Sequence, residues 1–172
     1  MRRHCPAALA VALSFGTASA VMADGQAAMQ AFNAYCFQAG QTSMQARANM
    51  QALAGTPLPF TLVFWDATLE KAPADAPRGV ERRCEVSWPG DQPRTAIDAL
   101  RAQMATPPVF GQPTALPDTH AAQAGTALIE GRELLQGRVA VVHVGTRAQG
   151  AATRTFMAVD RLPVSIAPGD SK

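Results

Sequence analysis

The chain has 172 residues, 48% of them hydrophobic when alanine is counted, 16% charged and 6% aromatic, with a formal net charge of +2. That apolar share and balance of charge exclude a mainly disordered chain, and the length suits one globular domain with its own core. No internal repeat or collagen-like glycine period is present.

The N-terminus reads as an export signal. Met1–Arg2–Arg3–His4 is basic, Pro6 to Phe15 is apolar, and Gly16–Thr17–Ala18–Ser19–Ala20 is a run of small residues ending in Ala-x-Ala. Cleavage is expected after Ala20, or alternatively after Ala23. The apolar run, roughly 10 residues, is too short for a bilayer-spanning helix. Removing residues 1–20 takes away Arg2 and Arg3 and leaves 13 residues of each sign. The mature chain therefore has no basic excess of the kind nucleic acid demands, and no later stretch is long enough to span a membrane.

Two cysteines remain, Cys36 and Cys84. In an exported protein such a pair is read first as a disulfide, two separate buried thiols being the competing reading. Ala28, Phe32, Tyr35, Cys36 and Ala39 share one stripe of a helix expected over 26–39 and ended by Gly40. Thr42 and Gln45 form a capping-box pattern for a second helix, terminated by Gly55 and Pro57. Residues 60–65 are β-branched and aromatic, a strand, and residues 71–79 a loop. Around Cys84 the chain alternates: Cys84, Val86 and Trp88 lie on one face, Glu81, Arg83, Glu85 and Ser87 on the other.

Asp91 or Gln92, followed by Pro93, opens a third helix with Ile97, Leu100 and Met104 inward. Thr106–Pro107–Pro108 ends it, and a proline-rich segment runs to Gly125 without periodicity, either an interaction loop or a loose one. Residues 126–135, 138–145 and 152–162 read as three strands of an antiparallel meander joined by turns at 136–137 and 146–150. The expected fold is α+β: an antiparallel sheet of about five strands, two to three helices on one face, and one disulfide. Its organisation is a signal over 1–20, one globular domain over 21–162 and a flexible tail over 163–172.

Motifs for chemistry are sparse. His143 stands in an apolar strand, where a neutral imidazole with a structural partner is the ordinary arrangement. His120 follows Asp118, and the two side chains are close enough in sequence to orient each other. Two histidines need a third or fourth ligand to hold a metal, and nothing at ligand spacing supplies one. No Gly-x-Ser-x-Gly, dinucleotide or phosphate-loop motif occurs. Acid–base pairs drawn from Asp66, Glu70, Glu130 or Glu133 have no spacing to recommend them. The catalytic residues are therefore unassigned, and no cofactor or metal is expected. Phe110, Asp118 and His120 mark a candidate interaction loop.

The reading that results is a periplasmic or secreted, disulfide-stapled domain, non-catalytic, binding an unknown protein or small-molecule partner through the 106–125 loop and neighbouring strand ends. The alternatives are a small secreted hydrolase using His120 or His143 as base, and a structural component of the cell envelope.

Overall fold

The computed structural model describes residues 17–106, 111–134 and 137–163. Phe110, most of the expected signal and all but the first residue of the expected tail lie outside them. Three helices and six strands follow in the order α1 (Thr17–Ala31), α2 (Ser43–Ala54), β1 (Thr61–Asp66), β2 (Arg82–Pro89), α3 (Pro93–Met104), β3 (Pro113–Thr114), β4 (Thr126–Glu133), β5 (Val139–Gln149) and β6 (Ala152–Arg161). The strands form one antiparallel sheet in the spatial order β1-β2-β6-β5-β4-β3. This is the expected α+β architecture with one strand more. The added strand, β3, is a two-residue rung on β4 inside the segment expected to lack structure.

Local signals explain most element ends. Thr42 accepts the Gln45 amide while the Gln45 side chain accepts the Thr42 amide, so both halves of the capping box close. Gly55, at φ 94°, follows α2. The start of α3 differs from expectation: Gln92 flanks the helix but makes no capping bond. Its amide donates to Thr155 Oγ1 (2.8 Å), and its side-chain oxygen accepts the Trp88 indole N–H (3.4 Å). The turn expected at 146–150 is also shorter, because β5 continues to Gln149 and pairs with Ala152 across a two-residue connection.

Helix α1 begins earlier than periodicity suggests and passes into a wide turn over Phe32–Cys36. It crosses β2 at Gly25, where a Cβ would stand 2.7 Å from Trp88 Nε1 and 2.5 Å from Gln92 Oε1. Only glycine fits that crossing.

The helices cover one face of the sheet. Ala28, Phe32, Met50, Leu100 and their neighbours pack on Leu62, Phe64, Val86, Trp88, Val142, Val144 and Met157. Ile97, expected inward, is only half-buried; Ala96 fills the inner stripe with Leu100 and Met104. Cys36 and Cys84 are buried in this layer and joined as a disulfide, their Cα atoms 5.3 Å apart.

Alternation sends the next residues to the opposite face, which carries Trp65, Arg83, Glu85, Val141, His143, Phe156, Ala158 and Asp160. Trp65, Val141, Phe156 and Ala158 are buried there too, so this face is also covered.

The disulfide closes a loop with a sequence separation of 48. Chain-entropy arguments assign such a loop about 4 kcal/mol, so Cys36→Ala is expected to cost about 2–5 kcal/mol. Thermal denaturation with and without reductant checks this: the wild type should lose stability on reduction and the variant should not respond.

Candidate functional site

Residues 111–125, which precede β4, run over part of the second face. Their early part pairs with β4 through Pro113 and Thr114, and the Glu133 amide donates to the Gln112 carbonyl at 3.0 Å. The chain then arches across the sheet as a strap. Thr119 comes beside Gly79, in the β1–β2 connection, and His120 reaches Asp160 on β6. A turn at Gln123–Thr126 brings the strap back to β5, where the Thr146 amide donates to the Gly125 carbonyl at 2.8 Å. Gly125 adopts φ 84°, and a Cβ there would sit 2.2 Å from the Thr146 carbonyl oxygen. The close return of the strap therefore requires glycine.

Under the strap, four polar side chains converge. Arg83 (β2) is the register partner of Asp160 (β6), and its Nε and Nη2 donate to Oδ1 (2.7 Å) and Oδ2 (2.6 Å). His143 (β5) and His120 (strap) place their Nε2 atoms 3.2 Å and 3.1 Å from the same Oδ2. Asp160 is fully buried. Burial raises the cost of its charge, but the hydrogen bonds from Arg83, His120 and His143, with the Arg83 charge, hold its carboxyl far below the usual range. In return, the bond to Asp160 outweighs burial and raises the Arg83 pKa, with the Asp160 and Glu85 charges adding to it.

An ionised carboxylate only accepts, so both imidazoles meet it with Nε2–H. The His120 Nδ1 lies 2.9 Å from the Thr119 hydroxyl, which can donate to it or accept from it according to where the ring carries its protons. Next to this cluster, Glu85 receives both terminal nitrogens of Arg147, whose guanidinium lies 3.9 Å above the Phe156 ring.

The fold treats the sequence-derived candidates differently. His120 and His143, far apart along the chain, are brought together with ring centroids 6.0 Å apart. Asp118 is exposed, and the carboxylate that meets His120 is Asp160 instead. Phe110 is outside the described residues. Of the four carboxylates considered for acid–base work, Glu133 is exposed and the other three are engaged elsewhere. Asp66 is buried against Arg161 and Arg82, Glu70 accepts from the Ser43 amide and hydroxyl at the start of α2, and Glu130 pairs with Arg132.

Sequence reasoning missed Asp160 and Arg83. Asp160 stands at the end of the apolar run Phe156–Met157–Ala158–Val159, and an acid closing such a run was the available signal. His120, His143 and Asp160 together offer three ligand atoms within 4.8 Å of one another, the third ligand that spacing alone did not supply. Among the described residues, no helix is long and apolar enough to cross a membrane.

No family model, no curated protein and no solved structure matches the chain. Function therefore rests on the chemistry of the site itself.

Asp160→Asn removes the charge on which three side chains converge. The expected loss is about 3 kcal/mol, the low end for breaking a buried ion pair, since Arg83 retains 21% side-chain exposure. Because the folded carboxyl lies below its unfolded value, this stabilisation is present above about pH 4 and fades as pH falls below it. Urea midpoints of wild type and variant should therefore separate near neutrality and converge in acid.

Proposed function

We propose that the chain is exported, processed after Ala20, and acts outside the reducing cytoplasm as a non-catalytic binding domain whose contact region is the strap at 111–125. The buried Cys36–Cys84 disulfide supports an oxidising destination. The observation that carries the binding reading is the strap itself. It is an irregular segment of a rigid two-faced sheet, fastened underneath by His120 on Asp160, while Leu116, Asp118 and residues 121–125 remain exposed above. Binding residues concentrate on loops that a rigid scaffold positions.

A second reading, hydrolysis, is favoured by the line of hydroxyl, imidazole and carboxylate from Thr119 through His120 to Asp160. It requires the Thr119 oxygen as nucleophile, so activity on p-nitrophenyl acetate that disappears in Thr119→Ala would replace the binding reading.

Two measurements test the proposal. Mass spectrometry of protein from its native host should find an N-terminus at Val21 and no free thiol; Met1 retained, or two free thiols, would overturn export. For binding, benzoylphenylalanine replaces Leu116 on the strap or Met44 on α2, both exposed. Irradiation in the native exported fraction should give a discrete adduct at 116 that disappears when the flanking Ala115, Pro117 and Asp118 are changed to glycine and serine with the probe kept at 116. Equal labelling at both positions, or none at 116, would overturn the strap as the contact region.

A further inference from the structure

We infer that His120, His143 and Asp160 form a binding site for a borderline divalent transition-metal ion of the Zn²⁺ class, with the strap supplying one ligand and the sheet two. This deepens the binding reading by naming a ligand class, and it rests on that reading only for the placement of His120.

The donor set is the first argument. Two imidazole nitrogens and one carboxylate oxygen suit Zn²⁺, Co²⁺ or Ni²⁺, whereas Mg²⁺ and Ca²⁺ favour all-oxygen shells. Separation is the second. Two atoms bound to a tetrahedral Zn²⁺ at about 2.0–2.1 Å stand about 3.3 Å apart. The imidazole nitrogens here are 3.1 Å and 3.2 Å from Asp160 Oδ2, and all three ligand atoms lie within 4.8 Å of one another. The two carboxylate sides need shifts of tenths of an ångström, and the two imidazole nitrogens, within 4.8 Å of each other, would adjust by ring rotation.

The third argument is the set of groups behind the ligands. An ion requires the Nε2 lone pairs, so each neutral ring must carry its proton on Nδ1. On His120 that Nδ1–H faces the Thr119 hydroxyl, which accepts it with its own hydrogen rotated away. This is the outer hydrogen bond that orients metal-bound histidines. Arg83 opposes the ion through its charge, but its two bonds divide the work. Nη2 gives up Oδ2 to the ion, while Nε keeps Oδ1 and fixes the carboxylate plane. The nearby Glu85 carboxylate acts on Arg83 and offsets part of the repulsion. Three protein ligands leave one tetrahedral position for water or for a group from a partner.

The test is calorimetric titration of the untagged, disulfide-intact full chain with Zn²⁺, and with Co²⁺ while its visible absorption is recorded. Wild type should bind one ion per chain with the intense absorption of tetrahedral Co²⁺, and millimolar Mg²⁺ should not compete. His120→Gln and His143→Gln should each weaken Zn²⁺ binding by about 100-fold or more, and His4→Gln should leave it unchanged. Circular dichroism with an intact disulfide establishes that the variants remain folded.

Stoichiometric binding that survives both site variants, or no binding by the wild type, would overturn the site. Adduct formation at position 116 with no Zn²⁺ bound would remove the metal and leave the strap reading. Zn²⁺ bound with no adduct would do the reverse.

Discussion

A carboxylate with no contact to water must be met by donors, or it becomes neutral or the fold opens. Asp160 is such a group, and it sits near the middle of the sheet, on the strand between β2 and β5. Each donor arrives from a different part of the chain. Arg83 comes from the neighbouring strand, His143 from the strand on the other side, and His120 from a segment with no regular structure at that point. The last contact matters most for architecture. It fastens the strap over the part of this face that carries Asp160 and His143. One ionised side chain thus helps to organise a second buried layer in a protein whose helices line only the first.

The two layers are built by different physics. The helix side is apolar and close-packed around Trp88, Phe32 and Met50, with a covalent link between Cys36 and Cys84. The strap side is a mixture of aromatic rings and paired charges, Asp160 with Arg83 and Glu85 with Arg147. Directional bonds fix geometry more tightly than apolar contact does, and that is where ligand-type atoms converge. A third ionic group, on the rung next to Arg83 at the same end of β1 and β2, shows how burial works against charge. The Arg82 guanidinium lies 5.0 Å over the Phe64 ring, and burial, then the nearby Arg161 charge, lowers its pKa to about 10 against the pull of Asp66.

Much of the helix side was legible in the sequence because its signals are local. The Thr42–Gln45 capping box, Pro93 in a first turn and the alternation of Cys84, Val86 and Trp88 each span fewer than ten residues, and each appears as expected. From them the inward thiols and the disulfide also follow. The strap side was not legible, since it depends on which strands are neighbours. Parity correctly set Arg83 apart from Cys84 and placed His143 with Val141, but it could not say that β6 would separate β2 from β5. Without that order, an acid at the end of the run Phe156–Val159 has no partners to suggest. The polar stretch Thr146–Gln149 also hid the continuation of β5, because its letters suit a turn as well as a twisted ladder. Asp118 drew attention as the acid nearest His120 in sequence, when the partner was 40 positions further on.

The two fastenings lie on consecutive rungs of a single ladder. Cys84 is paired with Val159, and the next pair along β2 and β6 is Arg83 with Asp160. A sulfur bridge to the end of the first helical segment pulls on one side of this short stretch of backbone and a cluster of charges grips the other, with no residue between them. Groups this close rarely act independently. A twist introduced by reducing the cysteines would therefore be felt by the carboxylate on the reverse side, and the redox state of one layer becomes a mechanical input to the other.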